Sequence, residues 1–158
     1  MSRTKYVFPL IATVALLNAC IPIQSKSSTL NVEPYLTDRE REVLNNITFE
    51  VQKVLDTIDS LRSSGALDYV TKLDIPGWKV EKKEERVLFL TQKKFIAYKD
   101  YTLPESCIKN IGGAELNVCH MKLSQTLKKL GEAYNCDVET YSTHLQGLKE
   151  RVKVICPY

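Results

Sequence analysis

Apolar residues in the first half of the chain recur at the spacing of one helix face. Their intervals alternate between three and four over Leu44, Ile47, Val51, Val54, Ile58 and Leu61. Thr37 and Glu40 have the spacing of a capping box just before this stripe, and Gly65 stands where a left-handed C-terminal cap would fall. The pattern predicts a helix over 38–63 whose apolar side packs in the core of one domain.

After Trp78 the helical spacing gives way to short apolar runs. Residues 87–90 and 95–98 flank the polar stretch 91–94, which indicates two strands joined by a turn. The turn lacks Gly and Asn, and 82–86 is composed of helix-favouring residues, so one helix over 80–99 is an alternative. Residues 79–99 carry seven basic and three acidic side chains, which we interpret as a solvated face.

Two further stripes with helical spacing follow, separated by the turn-forming residues 135–137. The first comprises Leu116, His120, Leu123, Leu127, Leu130 and Tyr134, and the second Val138, Tyr141, Leu145, Leu148, Val152 and Ile155. So short a connection predicts an antiparallel helical hairpin. We therefore expect an α+β fold, with the long N-terminal amphipathic helix and the C-terminal helical hairpin packed on a small antiparallel β-hairpin. An all-α four-helix bundle is the alternative.

The first 19 residues have the organisation of an export signal. Arg3 and Lys5 precede an uncharged apolar stretch over 7–17, which Pro9 interrupts. A helix that spans a bilayer needs about 20 apolar residues, so this stretch predicts a signal peptide over 1–19.

The end of that segment is Leu17-Asn18-Ala19-Cys20, which resembles the lipobox of bacterial lipoprotein precursors. The resemblance implies that the thiol of Cys20 receives a diacylglyceryl group, that the peptide is cut before it, and that the new amine is acylated. Because Ile21 rather than Asp follows, it also implies an outer-membrane anchor facing the periplasm. An ordinary secretory signal cut near Ala19, which would leave a secreted protein, is the alternative.

Length and composition predict one modest domain beyond this anchor. The chain has 158 residues, of which 44% are apolar, enough for a single core. We assign 20–36 to a tether and 37–158 to the domain. Without residues 1–19 the chain has 20 basic and 19 acidic side chains. This nearly equal balance of charges does not indicate a nucleic-acid partner.

Cysteine parity agrees with lipidation of Cys20. Four cysteines then remain, an even number in an exported chain, which predicts two disulfides. In an antiparallel helical hairpin the near neighbours would be Cys119 with Cys156, and Cys107 with Cys136. Local pairing, Cys107 with Cys119 and Cys136 with Cys156, is the rival, and its second bond would have to join the two ends of one helix of about 27 Å.

Few residues are candidates for chemistry. Cys119 and His120 are adjacent, but neither they nor His144 have the paired spacing of a zinc site, so we predict no metal and no cofactor. We interpret His120 as a buried, hydrogen-bonded histidine on an apolar stripe, and His144 as exposed. The sequence contains no hydrolase or metalloprotease motif, and we predict no catalysis.

These observations favour a lipid-anchored cell-envelope protein with a binding or assembly role, such as a secretion or pilus accessory or an inhibitor. It would hold the membrane through the lipid on Cys20 and a protein partner through an amphipathic helix face. A secreted helical ligand of the cytokine type, with a cleaved signal peptide, is the alternative function.

Overall fold

The computed structural model describes residues 30–143 and 148–158. Residues 32–158 form one compact unit. The expected signal peptide, the lipidation site Cys20 and the expected exposed His144 lie outside the described residues. Val32 and Leu36 are buried in the core of this unit, so the packed domain includes the last five residues of the 20–36 segment that we assigned to the tether.

The described residues of the domain form two helices and six strands. In chain order these are α1 (Asp38–Ser63), β1 (Lys79–Val87), β2 (Leu90–Thr102), β3 (Ile108–Ile111), β4 (Ala114–Asn117), α2 (Val118–Ala133), β5 (Asp137–Thr143) and β6 (Lys149–Pro157). Short 3-10 helices occur at Glu33–Tyr35, Ala66–Asp68 and Glu105–Cys107.

The bounds of α1 coincide with those that the sequence predicts. The Thr37 hydroxyl accepts a hydrogen bond from the Glu40 amide (3.2 Å), and the Glu40 carboxylate accepts one from the Thr37 amide (3.0 Å). Gly65 has φ +73° just beyond the helix, a conformation that favours glycine. The first five positions of the apolar stripe are buried, so the predicted helix face forms part of the domain core.

Four strands form one antiparallel sheet in the order β1-β2-β6-β5, and β3 and β4 form a separate two-stranded sheet. α1 contacts β6 and α2 contacts β5. The buried core lies between these helices and the inner face of the sheet, where Phe95, Val152 and Val154 are completely buried. The last strand in the sequence, β6, pairs with both β2 and β5, so it is central in the sheet.

The predicted C-terminal helical hairpin is wrong, and so is the four-helix alternative. Only its first arm is a helix, α2, while the second arm forms β5 and β6. The chain reverses at Asn135, which has φ +53°. In β6 every second residue is buried, from Glu150 to Cys156, and Lys149, Arg151 and Lys153 face the other side. This period of two, with β-branched residues, is the pattern of a half-buried strand, and it outweighs the coincidental helical spacing.

The hairpin predicted within 79–99 is confirmed as a β-hairpin, and the single helix over 80–99 is wrong. Its turn, however, is at Leu88 and Phe89, because Val87 pairs with Leu90. The polar stretch 91–94, which we expected to form the turn, belongs to β2. Residues 87–90 are therefore the end of the hairpin rather than a strand of the core.

The four cysteines of the domain form two disulfides, as the sequence predicts, but the preferred crossed pairing is wrong. Cys107 is bonded to Cys119 (Cα–Cα 5.4 Å) and Cys136 to Cys156 (Cα–Cα 4.5 Å). The second bond is possible because β5 and β6 pair antiparallel, which places Cys156 beside Cys136. The helix that would have kept Cys136 and Cys156 apart does not exist.

Candidate functional site: an apolar hairpin tip

The β1–β2 hairpin projects beyond the rest of the sheet. β6 pairs with β2 only from Lys94 onward, while β1 and β2 continue to pair with each other through four more residue pairs, from Glu84–Lys93 to Val87–Leu90. At about 3.3 Å per residue this extension is about 13 Å long. We call residues 82–94 the arm and the four residues 87–90 its tip.

The tip consists of four large apolar side chains that are open to solvent. Their exposed fractions are 49% for Val87, 91% for Leu88, 102% for Phe89 and 72% for Leu90. Single apolar residues are common on protein surfaces, but a contiguous apolar patch marks a contact with another molecule. This cluster is contiguous in sequence and lies at the end of a projection.

The loop of the hairpin is built from residues that suit its backbone poorly. Two-residue β-hairpin loops favour Gly, Asn or Asp where φ is positive, yet the loop here is Leu88-Phe89. Leu88 has φ +58°, a left-handed conformation that costs a residue with a Cβ atom about 1 kcal/mol. Such strain clusters at functional sites. The chain thus has Leu88 at a position where Gly or Asn would be more stable.

Positive charge is concentrated in the arm behind the tip. The arm contains five basic residues, Lys82, Lys83, Arg86, Lys93 and Lys94, and two acidic ones, Glu84 and Glu85. The rest of residues 20–158 has 15 basic and 17 acidic side chains. In the described part of the chain, Lys83 and Arg86 are exposed and form no ion pair, so their charges face solvent.

The base of the arm is held firmly to the domain. The Lys82 ammonium donates to the carbonyls of Leu67 and Val70, both at 2.8 Å. Lys93 donates to the Asp68 carboxylate at 3.1 Å, and this bond raises the pKa of Lys93. Phe95, which lies on the same face of β2 as Lys93, is completely buried. The base of the arm is therefore fixed to the rest of the domain, and the tip projects from it.

The outer face of the sheet has a concavity of about 540 Å³, lined by Tyr98, Asp100 and Arg151 among others. The Arg151 guanidinium donates to both carboxylate oxygens of Asp100 (2.7 and 3.1 Å) and lies 4.9 Å from the centre of the Tyr98 ring. The hydrogen bond from Arg151 is the main cause of a lowered pKa of Asp100. These groups satisfy each other, so this surface is a weaker candidate than the tip.

His120, the one histidine among residues 30–143 and 148–158, forms a contact between α2 and β6. The His120 imidazole pairs through Nδ1 with the carboxylate of Glu150, which is completely buried. The hydrogen bond that the imidazole donates to the Glu150 carboxylate raises the pKa of His120, although partial burial opposes the shift. The interpretation of His120 as a hydrogen-bonded histidine is confirmed, but its side chain is 30% exposed and is buried only in part.

Other residues that the sequence analysis singled out do not meet at a site. Cys119 is bonded to Cys107 and has no free thiol to pair with His120. Among residues 30–143 and 148–158, no cluster of histidine, cysteine, aspartate or glutamate side chains is suited to hold a metal ion. In the same ranges, no helix combines the length and hydropathy that crossing a membrane requires.

Comparison with known proteins gives no match: no family model fits the chain, and no curated protein or solved structure matches it. The tip was missed by sequence reasoning because 87–90 has the composition of a buried strand. A signal was nevertheless present. Residues 81–86 are all charged, so β1 has no apolar face there, and a strand without one lies outside the core.

Proposed function

We propose that this protein is a lipid-anchored protein of the bacterial cell envelope whose domain binds its target through the hairpin tip. In this proposal Cys20 carries the lipid, the anchor lies in the outer membrane, and the domain faces the periplasm. The lipobox-like sequence before Cys20 supports the anchor. The two disulfides support an oxidising compartment such as the periplasm.

The observation that carries the binding role is the exposure of Leu88, Phe89 and Leu90 on an anchored projection. Water contact with so much apolar surface is unfavourable, at about 25 cal/mol per Å². The strained loop adds to that cost. A contact that buries the tip would remove its apolar surface from water. Such a contact would also explain why the strained loop residues are present.

The tip replaces the surface that we first expected to bind a partner. The apolar stripe of α1 is buried within the domain, so it is not available to a second protein. The alternative function, a secreted helical ligand of the cytokine type, presupposed a bundle of helices. A sheet of four strands with two helices on one face gives that alternative no support.

Site-specific photocrosslinking in intact envelopes tests the binding role. A photoreactive phenylalanine analogue at position 89 should form adducts far more efficiently than the same analogue at position 69. Tyr69 is a suitable control because it is aromatic and 88% exposed but belongs to the segment that contacts the base of the arm, not to the tip. If position 89 gives no more adduct than position 69, the tip is not the contact surface.

The intact mass of the protein from the membrane fraction tests the anchor. The proposal requires a chain that starts at Cys20, carries diacylglyceryl and acyl groups, and exposes four alkylatable thiols only after reduction. A lipid-free chain in the soluble fraction would contradict it. The Cys20→Ser variant should remain unprocessed and lack the lipid mass.

A further inference from the structure

We propose that the target of the tip is a lipid bilayer with anionic headgroups, into whose interfacial region the tip inserts. This inference rests on the proposed function only in taking the tip as the contact surface, and it does not require the lipid on Cys20. Three properties of the arm favour a bilayer over a protein groove: the shape of the tip, its depth and the charge behind it.

The tip is a projection whose apolar side chains are exposed in several directions. Val87 and Leu90 form one cross-strand pair, and Leu88 and Phe89 extend beyond them. The exposed fractions of Leu88, Phe89 and Leu90 are all at least 72%, so the domain shields little of their surface. The lipids of a bilayer can surround such a projection on every side, whereas a groove on a protein covers one face of a hairpin.

The depth of the tip matches that of the interfacial region of a membrane. One residue pair and the loop beyond it extend about 7 Å at the rise of a β-strand. Amphipathic segments that lie in a membrane surface bury their apolar side by about 5–10 Å. The next pair, Arg86 and Thr91, is polar and would lie at the level of the headgroups.

The charge behind the tip complements lipid phosphates. Arg86 directly precedes the tip, and Lys83 lies opposite Lys94, three residue pairs further back. Like charges directly opposite each other destabilise a strand pair. Glu85 lies 3.8 Å from Lys94 and offsets part of this repulsion, and a bound anion would offset the rest. Basic side chains near an anionic surface add to membrane affinity.

Vesicle binding by the chain of residues 20–158 with Cys20→Ser, purified with both disulfides, tests the inference without the lipid anchor. Phe89→Trp provides the probe. With vesicles of phosphatidylglycerol and phosphatidylethanolamine, the emission of the introduced tryptophan should shift to shorter wavelength and be quenched by brominated acyl chains. The chain contains one native tryptophan, Trp78, which is buried and should report no change.

Variants separate insertion from misfolding. Leu88→Asn/Phe89→Gly supplies the favoured loop residues, so it keeps the hairpin, and should weaken partitioning at least about tenfold. Phe49→Ser removes an exposed phenylalanine from α1 and should leave partitioning unchanged. Lys83→Gln/Arg86→Gln should weaken binding to the anionic vesicles and have little effect with pure phosphatidylcholine.

The outcomes distinguish this inference from the proposed function. Absence of quenching at position 89 of the Phe89→Trp variant overturns bilayer insertion. So does partitioning of the parent chain that is no stronger than that of the Leu88→Asn/Phe89→Gly variant. If position 89 then crosslinks to a protein in envelopes, the tip remains the contact surface and its target is that protein. If position 89 crosslinks to nothing, both proposals fall.

Discussion

The imidazole of His120 on α2 and the carboxylate of Glu150 on β6 form an ion pair on the inner face of the sheet. Glu150 occupies a position that alternation along β6 assigns to the core, and its second carboxylate oxygen is buried with no hydrogen-bond partner in the described part of the chain. The buried charge therefore depends on one partner.

Removal of the His120 imidazole should destabilise the folded domain. His120→Ala leaves the Glu150 carboxylate buried without a counter-charge, and we expect the free energy of unfolding to fall by about 3 kcal/mol. Urea denaturation measures the change. The double variant His120→Ala/Glu150→Leu should lose less stability, because an apolar side chain can be buried at position 150 without a counter-charge. A double variant less stable than the single one would show that the pair stabilises the fold by more than charge compensation.

The same pair should make stability depend on pH. Because Glu150 raises the pKa of His120 in the folded protein, the contribution of the pair is complete below the unfolded value of about 6.5. It is lost as the pH rises through the folded pKa. The difference in unfolding free energy between the parent and His120→Ala/Glu150→Leu should thus shrink from pH 6 towards pH 9. A difference that grows over this range would contradict the assignment.

Relief of the strained loop should stabilise the domain. Leu88→Asn places at φ +58° a residue that tolerates the left-handed region, and should raise stability by about 1 kcal/mol. For a domain of this size that corresponds to a rise in Tm of about 3 °C. Leu90→Asn, in the adjacent strand, is the control and should not stabilise. An unchanged or lower Tm for Leu88→Asn would mean that the loop is unstrained.

Gly131 in α2 is required by a close backbone contact. A Cβ atom at this position would lie 2.8 Å from the Cys136 carbonyl oxygen and 2.8 Å from a methyl group of Val138. Gly131→Ala should therefore destabilise the domain by about 1–3 kcal/mol, although alanine favours helices. Lys129→Ala, on the exposed side of the same helix, should change stability by less than about 0.5 kcal/mol. Chemical denaturation of both variants tests the contact.

Each disulfide should contribute about 3 kcal/mol to stability, since the bonds close loops of 12 and 20 residues. The paired substitutions Cys107→Ser/Cys119→Ser and Cys136→Ser/Cys156→Ser should lower the free energy of unfolding by similar amounts. Peptide mapping without reduction checks the pairing directly. A peptide that joins Cys119 to Cys156 would contradict the connectivity described above.

Local signals in the sequence were sufficient for α1 but not for β5 and β6. The capping box at Thr37 and the apolar stripe lie within one continuous segment, so they fix both the start and the buried side of α1. In β6 the acidic Glu150 stands at a core position and hides the period of two. Its partner, His120, is thirty residues away, and only the folded chain brings the two together.

The tip could be predicted only in part. Its apolar and basic residues are plain in the sequence, and a hairpin within 79–99 was expected. The position of the turn was not, because Leu88 and Phe89 are unfavourable loop residues and the polar stretch 91–94 was the better candidate. Where binding competes with local stability, turn propensity is a poor guide to the fold.

The central place of β6 makes assembly of the sheet depend on the last strand of the domain. β2 and β5 both pair with β6, so neither the sheet nor the Cys136–Cys156 bond can form until β6 has emerged from the ribosome. Until then β1 and β2 can form only an isolated hairpin, which is marginally stable at best in water. The sheet therefore cannot close, and its inner face cannot be completed, before β6 is available to pair with β2 and β5.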